Sequence, residues 1–120
     1  MEVINISLSG PANQTLETVL EQIRSRGILP VAAVGNAGPL ADPQYPAAYP
    51  TVVAVTAVDR TLDLYPYAVR GDHLDFAAYG VNLTAASGDQ GFTQVSGTSF
   101  AAPVVTALLA RQLADIGSPG

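Results

Sequence analysis

Between Val3 and Val34 the hydropathy pattern changes period twice, and this constrains the fold more than any other feature. Val3-Ile4-Asn5-Ile6-Ser7-Leu8 alternates branched apolar residues with small polar ones, the period of a strand, and Ser9-Gly10-Pro11 ends it. Leu16, Val19, Leu20 and Ile23 then recur at helical spacing and form one apolar stripe. Asn13 or Thr15 can cap the start of this helix. Arg24 and Arg26 complement the negative end of its dipole, and Gly27 stops it. Ile28 to Val34 is a continuous apolar strand. Strand, helix and strand within about 32 residues make a βαβ unit, so the two strands run parallel with a right-handed crossover.

Parallel strands covered on both faces read as unbroken apolar runs. Val31 to Val34 is one such run, and Thr51 to Val58 is another. Between them, Gly35 to Pro50 is a long loop rich in Gly, Pro and Tyr, and loops of that length are usually functional. From Arg60 to Gly91 the pattern weakens to short strands at Leu74 to Ala77 and Leu83 to Ala86. Ser99 to Ile116 reads as a second helix. Its first ten residues carry no charge, which predicts burial on all sides, with Pro103 in or near the first turn. The fold class expected is α/β, a parallel sheet with flanking helices.

Composition then narrows the functions. The chain of 120 residues is 48% hydrophobic and only 12% charged, where about a quarter is usual, so faces left bare here are expected to be covered by something else. Net charge is −5, and the five basic residues, Arg24, Arg26, Arg60, Arg70 and Arg111, are scattered. No basic stripe exists for a phosphate backbone, which argues against nucleic acid. The absence of cysteine excludes disulfides and thiolate metal sites. The uncharged run from Gln90 to Ala110 is too polar and broken to span a membrane. No signal peptide is seen, and a chain cut from a longer protein starts in this way.

The most informative segment is Gly97-Thr98-Ser99-Phe100-Ala101-Ala102-Pro103, a serine on a glycine turn at the mouth of a buried helix. Alone, such a serine is more often an N-cap. Val31-Ala32-Ala33-Val34-Gly35-Asn36-Ala37-Gly38 places an asparagine just past the C-terminal end of a parallel strand, where ligands bind in α/β sheets. Alone, Asn36 is more often a turn residue; with Ser99 it offers a carboxamide to a developing oxyanion.

Gly97-Thr98-Ser99-x-Ala101-x-Pro103, preceded by a strand reaching Ser7-Leu8 and by Gly35-Asn36-x-Gly38, resembles the subtilisin-like serine peptidase family. Tyr45-Pro46-Ala47-Ala48-Tyr49-Pro50 followed by Val52-Val53-Ala54-Val55 is similar to that family's next landmark. The match runs from Val3 to Ile116. The resemblance implies a partial subtilisin-like fold, the C-terminal portion of a peptidase domain. It implies Ser99 as nucleophile, with Asn36 and the Ser99 amide as oxyanion hole. Ser7, Leu8 and Ser9 would line the substrate edge. Ala33, Val34, Gly35 and Asn36, with Gln44 to Ala47, would wall the pocket for the residue before the cut. The Tyr45-Pro46 bond should be cis. Peptide or protein is the implied substrate, and export from the cell, as a secreted or periplasmic protein, the implied location. Members often bind calcium, and Ala47 to Thr51 resembles a weak site, but the sequence shows no clear ligands; the expectation is no cofactor.

The departures are informative. The family's Asp and His motifs lie upstream of residue 1, so the isolated chain is expected to be inactive, and a degenerate binding or regulatory module is the alternative function. Tyr79 stands where proline is usual, Val104 where many members have histidine, and Ser9 where glycine is usual. His73, the one histidine, could form a triad only if it and Asp75 reached Ser99; a solvated surface histidine is the expectation. An α/β-hydrolase needs an acid and a histidine after its serine, and no histidine follows Ser99. Loss of the upstream half would bare a sheet edge and one face of the last helix, favouring self-association.

Overall fold

The computed structural model describes residues 1–89 and 91–117. Strand β1 (Glu2–Ile6) leads through helix α1 (Gln14–Ser25) into β2 (Ile28–Ala33), the expected βαβ unit. Asn13 caps α1, its side chain accepting from the Leu16 amide at 3.0 Å, which satisfies one of the amides that a helix start leaves free. The helix ends at Arg26, with Gly27 at φ 87°. Strands β3 (Val53–Val58) and β4 (Phe76–Tyr79) follow, giving a four-stranded sheet in the order β1-β2-β3-β4 with all three pairings parallel.

Alternation along β2 explains why its sequence is apolar without a break. Ala32 and Val34 join Leu20, Ala47, Tyr49, Val52 and Ala54 in a core on the α1 face. Val31 and Ala33 point the other way, joining Val55, Ala57, Ala101, Ala102 and Val105 beneath the last helix, α2 (Thr98–Gly117). Both faces of the strand are buried, as parallel sheets require.

Three sequence expectations shift. The strand predicted at Leu74–Ala77 begins two residues later, because Leu74 packs into the α1-face core and Asp75 bonds to Ala54 through its amide (2.9 Å) and its carboxylate (2.8 Å). Leu83–Ala86 is strand β5 as expected, but it pairs antiparallel with β6 (Phe92–Val95), which the sequence reading missed. The hairpin is mostly exposed, so no burial pattern marked its second strand. Finally, α2 is not buried on all sides. Ala101, Ala102 and Val105 face the sheet, whereas Phe100, Val104 and Leu108 form an exposed stripe at 40, 41 and 61% exposure. Among the described residues, no helix is long and apolar enough to cross a membrane.

Candidate active site

The parallel strands end on one side of the molecule, and the start of α2 is fastened there. Gly97 N donates to Gly80 O at 2.8 Å, just past the end of β4. Gly97 has φ 150°, and a Cβ there would lie 3.2 Å from Asn36 Nδ2 and 3.7 Å from Ser99 Oγ. Glycine therefore allows the Asn36 carboxamide and the Ser99 hydroxyl to share one small space. That both stand around one glycine is a tertiary arrangement.

The carboxamide is oriented by Thr98. Asn36 Oδ1 accepts from the Thr98 amide at 2.9 Å and from its hydroxyl at 3.0 Å, while Thr98 Oγ1 accepts from Gly35 N at 3.0 Å. With the oxygen so engaged, Nδ2 is the end left towards Ser99. Thr98 is fully buried, and a buried hydroxyl is tolerated only when bonded. The sequence reading missed this residue, although a hydroxyl inside an apolar helix start was its signal. The Ser99 amide lies in the first turn of α2 and has no acceptor within the helix.

Two loops flank this point. Gly10 and Tyr45 exchange backbone hydrogen bonds at 2.8 Å each way, tying the segment after β1 to the segment before Pro46. Gly35 lies between them at φ 100°; a Cβ on it would meet Ser9 Oγ at 3.0 Å and Gln44 Cγ at 3.1 Å. Ser9, Gly35 and Gln44 are thus gathered around one spot, with Leu8 exposed beside them. Ala33 and Val34 are nearby in sequence but their side chains belong to the two cores, so neither presents a side-chain wall. Ser7 is also engaged: its hydroxyl donates to Ser99 O at 2.9 Å. The Tyr45-Pro46 bond is cis.

His73 is not the solvated residue expected. Its Nε2 is buried without a hydrogen-bond partner. It does not complete a triad either: its neighbour Leu74 packs on the α1 face, across the sheet from α2, and the Asp75 carboxylate holds the Ala54 amide. As for calcium, the Ala47–Thr51 loop has one buried unpartnered hydroxyl, Thr51 Oγ1, and no carboxylate. No cluster of three or more His, Cys, Asp or Glu residues stands among the described residues. Calcium takes six to eight oxygens, carboxylates and backbone carbonyls among them, and the side chains of this loop do not by themselves supply such a set.

The model of the subtilase family matches residues 1–118. The chain belongs to the subtilase family. Among curated relatives it is 38% identical over 109 residues to subtilisin E of Bacillus subtilis (strain 168), covering 88% of this chain and 29% of that protein. It is 36% identical over 111 residues to the minor extracellular protease Epr of the same organism, covering 92% and 17%. Of solved structures, the S41 psychrophilic protease superposes with a TM-score of 0.86 at 27% identity, over 98% of this chain and 44% of that one. The prenylagaramide maturation protease PagA gives 0.81 at 31% identity, over 91% and 42%. The chain therefore spans less than half the length of these subtilases and proteases, and its α/β fold is part of theirs.

Proposed function

We propose that this chain is the C-terminal, nucleophile-bearing portion of a subtilisin-like serine endopeptidase domain, which hydrolyses peptide bonds through an acyl-enzyme at Ser99. The observation that carries the reading is that Asn36 Nδ2 and Ser99 Oγ both lie beside Gly97, with Asn36 oriented by Thr98.

In this reading the Ser99 hydroxyl attacks the scissile carbonyl, and negative charge develops on the carbonyl oxygen. Asn36 Nδ2 and the Ser99 amide stabilise it. They are fixed before the reaction begins, which makes such donors effective. The peptide runs between the Ser7–Ser9 segment and Gln44, with Gly35 as floor. The general base comes from outside the chain, so the chain alone is inactive towards peptides: a serine hydroxyl without a base is almost fully protonated and a poor nucleophile. Export from the cell fits this reading, as does self-association through the exposed stripe of α2 and the open sheet edges.

The test is peptide hydrolysis by the full-length parent protein. Ser99→Ala should abolish turnover. Asn36→Leu should lower kcat by about 10²–10³-fold, the magnitude measured for such an asparagine in a subtilisin. His73→Ala should leave the rate unchanged. Turnover that survives Ser99→Ala, or is abolished by His73→Ala, would refute the assignment.

A further inference from the structure

Pro103 lies inside α2, and proline has no amide proton for the carbonyl four residues earlier. That carbonyl belongs to Ser99. In an uninterrupted helix residue 103 would bond to it; here the Ser7 hydroxyl does so from beyond the end of β1, at 2.9 Å. Ser7 is itself held. Asn5 Nδ2 donates to Ser7 Oγ at 2.8 Å, and the Thr106 hydroxyl donates to Asn5 Oδ1 at 2.7 Å. Three side chains thus form a strap from the third turn of α2, across the end of β1, back to the first turn of the same helix.

The direction of the strap follows from counting donors. Ser7 has one proton, and because its oxygen accepts from Asn5, that proton is free for Ser99 O. The Asn5 carboxamide turned round would make Ser7 donate to Asn5 and Thr106 donate to Ala102 O, 2.9 Å away. Ala102 O already has the Thr106 amide in the helical ladder, whereas Ser99 O would then have no donor. Only the first arrangement satisfies every group, as partly buried backbone carbonyls normally are.

We propose that Ser7 is a positioning residue for Ser99. Its hydroxyl, oriented by Asn5 and Thr106, replaces the ladder bond that Pro103 removes and fixes the turn that carries the nucleophile opposite Asn36. The inference rests on the proposed role of Ser99. It differs from Ser7 as a substrate wall, because its hydroxyl faces the enzyme's own backbone.

A cycle of four sequences tests it in the full-length protein: the natural chain, Ser7→Ala, Pro103→Ala, and both together. Pro103→Ala gives residue 103 an amide proton, so the strap becomes redundant. Ser7→Ala alone should lower kcat roughly three- to tenfold, the rate equivalent of one neutral hydrogen bond, with KM unchanged. In the P103A background the same substitution should cost less than about twofold, and Ser7→Thr should keep the rate because it keeps the hydroxyl. An effect of Ser7→Ala on KM alone, or one of equal size in both backgrounds, would overturn the proposal. Ser99→Ala separates the two readings. If activity survives it, the nucleophile is elsewhere, and the strap is judged on the urea midpoints of the same four sequences, where coupling between Ser7 and Pro103 supports it and additivity refutes it.

Discussion

Replacing Thr98 by valine tests what secures the Asn36 carboxamide, the proposed oxyanion donor. Valine keeps the shape and removes only the hydroxyl. That hydroxyl is fully buried and does two things: it accepts from Gly35 N at 3.0 Å and donates to Asn36 Oδ1 at 3.0 Å. After Thr98→Val the Gly35 amide, whose bond to Thr98 is buried, loses its acceptor, which costs about 1–3 kcal/mol. The lost bond to Asn36 adds about 0.5–1.5 kcal/mol. The Thr98 amide still holds Asn36 Oδ1 at 2.9 Å, so the carboxamide loosens without being released. The expected loss is about 1.5–4.5 kcal/mol, read from equilibrium urea unfolding. Thr98→Ser is the control. It keeps both hydrogen bonds and loses one methyl, worth about 1 kcal/mol. Valine should therefore destabilise more than serine does. The reverse order, or a valine variant as stable as the natural chain, would show that packing and not the hydroxyl secures this turn.

Gly80→Ala should destabilise by about 1–3 kcal/mol in the same assay, since the new Cβ would meet Ala57 Cβ at 2.7 Å and Gly97 O at 2.8 Å, neither of which can swing aside. Asp59 titrates below the ordinary aspartate value near 3.8 because the Thr61 hydroxyl, and then the Asp63 amide, bond to its carboxylate. Its contribution is present above that value and lost as pH falls through the lower folded-state one, so the stability difference between the natural chain and Asp59→Asn should shrink only below about pH 4. Light scattering on this chain should show self-association that Val104→Asp with Leu108→Lys reduces, since both positions are exposed on α2; a monomer before substitution would count against a sticky helix face.

How much the sequence shows depends on whether a residue's role is set by its neighbours along the chain or across the fold. The βαβ unit was legible because two strands and a helix each bury a stripe whose period is visible in one dimension. The cap at Asn13 was legible because it acts three residues away. Strand β6 was not, since Phe92–Val95 is held by pairing with β5 rather than by a buried face. The one-sided burial of α2 was not either: its residues are apolar all round, and composition cannot tell which face this length of chain covers. The site divides in the same way. Ser99 and Asn36 could be named because a family motif stands for contacts that no periodicity encodes. Thr98 sits inside that motif and was passed over, because its hydroxyl serves residues more than sixty positions away. Ser7 was read as part of a substrate edge because its place in the motif says so. Its hydroxyl, however, is taken up by Ser99 O, and the missing proton of Pro103 is the local sign that some distant donor had to come. A proline inside a helix leaves the carbonyl four residues before it in need of a partner; when that carbonyl belongs to the presumed nucleophile, the donor that answers it belongs among the residues to test.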